Sequence, residues 1–142
     1  MSLAKEQAKE VDSSRIWLGG LVTIVLAVIG NLILLWLANL LLTIPAQFEP
    51  LGALRVSIFT AVFVLGSIIV YAILAAKVEQ PIRTYKRIAW LFLVVSFIPD
   101  LAMLFVDFMP AATVTAVFVL MLTHVVAGLI AIYVLPAMTK VK

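Results

Sequence analysis

With 65% hydrophobic and only 12% charged residues over 142 positions, the chain falls outside the range of soluble domains, which run about 45–50% apolar and about 25% charged. Its mean hydropathy of +1.26 makes lipid the solvent for most of it. A bilayer core takes about 20 apolar residues per helix, so this length fits about four spans and no separate soluble catalytic domain. The absence of cysteine excludes disulfides, thiol redox pairs and Cys-ligated zinc or iron–sulfur centres. The single histidine cannot build a multi-His metal site within one chain. The net charge of +3 and pI near 9.5 indicate membrane topology and not nucleic-acid binding, because the basic residues flank apolar runs.

Residues 1–15, MSLAKEQAKEVDSSR, form a polar segment in which Asp12, Ser13 and Ser14 are candidate helix N-caps. Their mixed charges, and the length of the apolar run that follows, are not those of a cleavable signal peptide. The first span is predicted over about 16–44, long enough to tilt or to project beyond a core of about 30 Å. Pro45 and Pro50 bracket a short loop, and a second span follows over about 53–76. The basic connector KVEQPIRTYKR (77–87) precedes a third span over about 88–108, and Met109-Pro110 marks a tight hairpin. The fourth span covers about 112–135, where Pro136 is expected to end it, leaving a tail of 137–142. The predicted fold is an all-α, integral membrane four-helix bundle, a single domain over 16–136.

With four spans, Lys5, Lys9 and Arg15, the connector cations Lys77, Arg83, Lys86 and Arg87, and Lys140 and Lys142 share one side, leaving Arg55 alone on the other. The positive-inside rule then places both termini in the cytoplasm. Trp17, Tyr71, Tyr85, Trp90 and Tyr133 fall near the inner interface on this reading, as anchors.

Small and polar residues mark helix contacts in lipid. Gly20, Ala27, Asn31 and Ala38 share a face of the first span; Ser57, Thr60, Ser67 and Tyr71 share one on the second. Ser96, Asp100 and Asp107 line up on the third, and Thr113, His124, Gly128 and Ala131 on the fourth. Ala127-x-x-x-Ala131 offers a close-approach surface for association.

Asp100 is the leading functional candidate, because a carboxylate within a span is costly and follows Pro99, which frees a backbone carbonyl one turn earlier. It could serve a proton, a cation or a polar head group, or be a protonated carboxyl bonded to Asn31 or a hydroxyl. His124 could relay protons or bond a cofactor in an oligomer; the plainer expectation is a neutral ring bonded to Thr60, Ser67 or a carbonyl. The predicted spans put His124 and Asp100 at depths about one to one and a half turns apart, out of direct reach without tilt or a bridging water. Asp107 is expected at the exposed helix boundary, and Asn31 as a helix–helix clasp. Lys77, Arg83, Lys86 and Arg87 can hold lipid head groups at about 1 kcal/mol each. Met103, Met109 and Met121 are packing residues. No nucleophile elbow, HExxH or P-loop is present, and a Ser–His–Asp set assembled from Ser96 or Ser67 with His124 and Asp100 lacks any motif.

The Ser-Phe-x-Pro element at Ser96–Pro99 and the Met-x-x-His element at Met121–His124 resemble a family of small four-span bacterial membrane proteins of unknown function. The resemblance implies four spans and a bacterial inner membrane; it supplies no activity. The expected protein is non-enzymatic and needs no cofactor or metal. It is an accessory or assembly subunit or a self-associating bundle, with the lipid bilayer, its own copies or a larger membrane complex as partners. The alternative is a small proton- or cation-coupled carrier or channel using Asp100, with His124 as a second candidate group.

Overall fold

A computed structural model describes residues 10–142; the earlier part of the N-terminal segment, with Lys5 and Lys9, lies outside the described residues. Four helices follow in chain order: α1 (Ile16–Leu41), α2 (Ala53–Lys77), α3 (Pro81–Ala102) and α4 (Val114–Thr139). α1 packs on α2 and α4, α3 packs on the same two, and α2 meets α4 across the centre. α1, α2 and α4 are each long and apolar enough to cross a membrane.

The third helix departs most from expectation. It begins at Pro81, whose missing N–H costs nothing in the first turn of a helix, so only 78–80 separate it from α2. Arg83, Lys86 and Arg87 therefore ride on its first turns and not on a loop. The helix also stops at Ala102, well short of 108. Pro99 cannot donate to the carbonyl one turn back, and beyond Asp100 the chain tightens. Met103, Leu104 and Phe105 N–H groups donate to Asp100, Leu101 and Ala102, three residues earlier. The apolar stretch 88–102 is about 22 Å long at 1.5 Å per residue, shorter than a bilayer core. Residues 103–113 continue it as irregular backbone, with Met103, Leu104, Met109, Ala111 and Ala112 packed on the bundle.

The other ends follow local chemistry. Thr113 Oγ1 accepts the Ala116 N–H at 3.1 Å and caps α4, so this residue is a cap and not part of a seam. Pro136 lies inside α4 and does not end it. The last turn survives because the Lys140 N–H donates to the Pro136 carbonyl and the Asp12 N–H to the Thr139 carbonyl, both at 2.9 Å. Val11 and Lys140 form an antiparallel bridge, which holds residues 10–12 against the end of α4. Asp12 caps the short 3-10 turn Ser13–Arg15 that leads into α1. α1 ends at Leu41, three residues before the predicted boundary.

Two apolar clusters fill the interior. At the end carrying the termini, Ile16, Ala27, Val64, Ile68, Tyr71, Tyr85 and Leu135 pack together. At the other end Leu35, Ala38, Phe48, Leu51, Val56, Val117 and Leu120 do so. The order along α1, α2 and α4 fixes what lies between: Asn31 sits between Ala27 and Leu35, Thr60 between Val56 and Val64, and His124 between Leu120 and Leu135. A polar layer thus separates two apolar ones. The predicted small-residue faces of α1 and α4 provide the close approaches. A Cβ on Gly20 would stand 2.9 Å from Ile68 Cδ1, and one on Gly128 3.1 Å from the Leu93 methyls. Outward, large apolar side chains such as Leu21, Ile33, Val62, Ile73, Leu91, Ile98 and Phe118 are exposed, a surface suited to lipid and not to water.

Candidate functional site

The early end of α3 places Asp100 on the last turn, and the short helix alters the depth comparison. Because α4 extends beyond α3 while residues 103–113 climb past it, Asp100 falls level with His124. His124 Nδ1 lies 2.8 Å from Asp100 Oδ2. The expectation that the two would not meet without tilt or a bridging water is therefore overturned, and it failed because the third span was drawn about seven residues too far along the chain. The imidazole is 28% exposed and the carboxylate 5%. The separation is that of an ion pair, but the atoms miss hydrogen-bond alignment and have no other partner.

Asn31 is a clasp, but toward α2 and not toward Asp100. Its Nδ2 donates to Thr60 Oγ1 at 2.9 Å, and its Oδ1 has no partner. Thr60 and Ser67 are thereby removed as partners of His124, since Ser67 Oγ bonds the Tyr85 hydroxyl at 2.7 Å. Ser96 Oγ donates to the Leu93 carbonyl at 2.6 Å. Neither serine is joined to His124, and no Ser–His–Asp relay is assembled. Asp107 is exposed in the irregular 103–113 segment, so it does not continue a helical line through Ser96 and Asp100.

A second polar set, partly missed at the level of sequence, lies toward the termini. Tyr71 and Tyr85 are fully buried and not interfacial anchors, with rings edge to face at 4.8 Å. The Tyr71 hydroxyl meets Thr139 Oγ1 at 2.7 Å, and the Tyr85 hydroxyl donates to the Ala131 carbonyl at 3.1 Å. Ala127 and Ala131 pack inside the bundle, so that pair is not a free surface for association. The usable signal was Tyr71 sharing the polar face of α2 with Ser57, Thr60 and Ser67. Nothing in the spacing revealed Tyr85. At the same end the Ile82 N–H points to Glu10 Oε2 at 3.4 Å, a carboxylate near the positive end of α3.

Of the four connector cations, Lys86 lies over the Tyr133 ring at 5.0 Å, and Arg83 is 3.4 Å from Gln80 Oε1. Lys77 ends α2 and Arg87 is exposed. Among the described residues no cluster of His, Asp and Glu could hold a metal ion.

Residues 11–140 match the sequence profile described as a family of unknown function, DUF6069. The chain belongs to that family. The DUF6069 match takes in all four helices, the Asp100–His124 pair and the bridge that closes the terminal end. No curated protein and no solved structure matches the chain.

Proposed function

We propose that the protein is a non-enzymatic integral membrane protein that acts as an accessory or assembly subunit, or associates with itself, with both termini in the cytoplasm. The observation that carries this reading is the inward pairing of Asp100 with His124. The costliest group in the bundle faces a partner on the neighbouring helix, as Asn31 does with Thr60 and Tyr71 with Thr139. Polar side chains spent on one another join α1 to α2, α2 to α4 and α3 to α4, and they leave apolar outer faces for lipid or for another membrane protein. A bacterial inner membrane is part of the same proposal and rests on the sequence resemblance. The uneven distribution of Lys and Arg supports the orientation.

The test is the mass of the particle. The full chain in nanodiscs, and the same chain cross-linked in its native membrane, should run as a dimer or larger assembly. A monomer under both conditions would contradict the subunit reading. One observation favours a second reading, a small proton- or cation-coupled carrier. The His124 ring is 28% exposed beside a nearly buried Asp100, so the pair is not sealed inside the bundle.

A further inference from the structure

A shallow cleft of about 550 Å³ opens where α1 begins and α4 ends, lined by Arg15, Ala137, Met138, Lys140, Val141 and Lys142. Three of those six residues are cationic and none is acidic. Among the described residues the nearby carboxylates are committed elsewhere. Asp12 lies close to Arg15, but its Oδ1 accepts the Ser14 N–H at 3.0 Å and the Ser14 hydroxyl at 2.6 Å. Glu10 faces the start of α3 through the Ile82 N–H. The backbone that carries two of the cations is held in place: Lys140 belongs to the bridge with Val11, and Arg15 ends the turn that Asp12 caps.

The surface beyond the cations is apolar. Met138, Ala137 and Val141 form walls, and Trp17, Leu18 and Leu21 are exposed along the first turns of α1. A free phosphate would use only the charges. An amphiphile would use both parts, with its phosphate on the cations and its chains against the start of α1, where the exposed Trp17 ring suits a headgroup interface. We propose that this cleft binds the headgroup phosphate of an anionic phospholipid. It is distinct from the Arg83, Lys86 and Arg87 cluster, which lies on α3. The inference rests on the bundle residing in a bilayer, but not on which end is cytoplasmic or on the subunit role.

The test uses the full chain in nanodiscs of phosphatidylcholine with added phosphatidylglycerol, with retained lipids counted by native mass spectrometry after release into detergent. Phosphatidylglycerol should be retained in preference to phosphatidylcholine. Arg15→Gln and Lys140→Gln should each weaken retention about fivefold, from about 1 kcal/mol per basic residue near the surface. The double variant should lose about 25-fold if the two act independently. Arg55→Gln, at the opposite end of the bundle where the guanidinium pairs with Glu49, should change nothing, and circular dichroism should show all variants equally helical. Loss of retention in Arg83→Gln/Arg87→Gln with retention intact in Arg15→Gln/Lys140→Gln would overturn the proposal. So would the absence of any lipid preference, or inorganic phosphate binding equally well without it. A chain that fails to enter nanodiscs would overturn the membrane reading itself, a result separable from all of these.

Discussion

If Asp100 and His124 stabilise the bundle as a pair, their substitutions must be strongly coupled. His124→Leu leaves a carboxyl that is 5% exposed facing hydrocarbon without its partner. Asp100→Leu leaves a ring that is 28% exposed and is therefore less enclosed by the bundle. In soluble proteins, breaking a buried pair costs about 3–5 kcal/mol, whereas interhelical polar contacts in membranes average about 0.6 and reach about 1.7 kcal/mol. The partial exposure of the ring and the imperfect alignment of the contact place this pair nearer the membrane range. His124→Leu should therefore cost about 2 kcal/mol and Asp100→Leu about 1 kcal/mol. The double variant should cost no more than the worse single change, because the orphaned group is gone. Reversible unfolding of all four proteins in one mild detergent measures the cycle. A coupling of at least about 1 kcal/mol supports the pair, since independent sites add to within about 0.3–0.5 kcal/mol. Additive costs, or a more damaging Asp100→Leu, would refute the reasoning.

Three further outcomes follow from the packing. Gly20→Leu should destabilise the bundle by about 1–3 kcal/mol by overpacking against Ile68, whereas Gly66→Ala, where a Cβ meets open space, should be neutral or slightly stabilising in the same unfolding assay. Ala111 has φ 58, a left-handed conformation that costs a non-glycine residue about 1–2 kcal/mol. Ala111→Gly should raise stability by up to about 1 kcal/mol after the entropy of the unfolded chain is counted. The Ser14 hydroxyl, and secondarily its N–H, hold the Asp12 carboxyl below its ordinary value of 3.8. Its contribution is therefore present above that value and is lost as pH falls through the lower folded value. The protection factor of the Ser14 amide, its rate divided into the intrinsic rate at the same pH, should fall in that acid range as its bond to Asp12 is lost, and Asp12→Ala should abolish that change.

The sequence held the architecture because lipid imposes it: a single segment satisfies its own backbone in hydrocarbon only as a helix, and composition alone marks the apolar runs. The inward face of α1 was legible for a related reason, since Gly20, Ala27, Asn31 and Ala38 are small or polar where neighbouring positions are large. The third helix was not legible. Hydropathy places a span on its apolar residues, so it missed a helix started by Pro81 within a basic stretch and ended soon after Pro99. That shift carried through to the site, hiding the contact between Asp100 and His124 and assigning the polar groups to the wrong partners. Pro136 misled in the same way. Its local rule is sound, but tertiary bonds from residues 10–12 hold the final turn. Tyr71 and Tyr85 sit near a predicted interface, and only their packing against one another distinguishes a buried pair from anchors.

The central claim, that Asp100 and His124 hold helices together and do not carry ions, is tested most directly by flux. The protein in sealed proteoliposomes with an internal pH-sensitive dye should show no proton or cation movement above empty vesicles. Asp100→Asn, which preserves shape but removes titration, should remain folded and give the same trace. A flux in the parent that Asp100→Asn abolishes while folding survives would contradict the account and establish the pair as a coupling site.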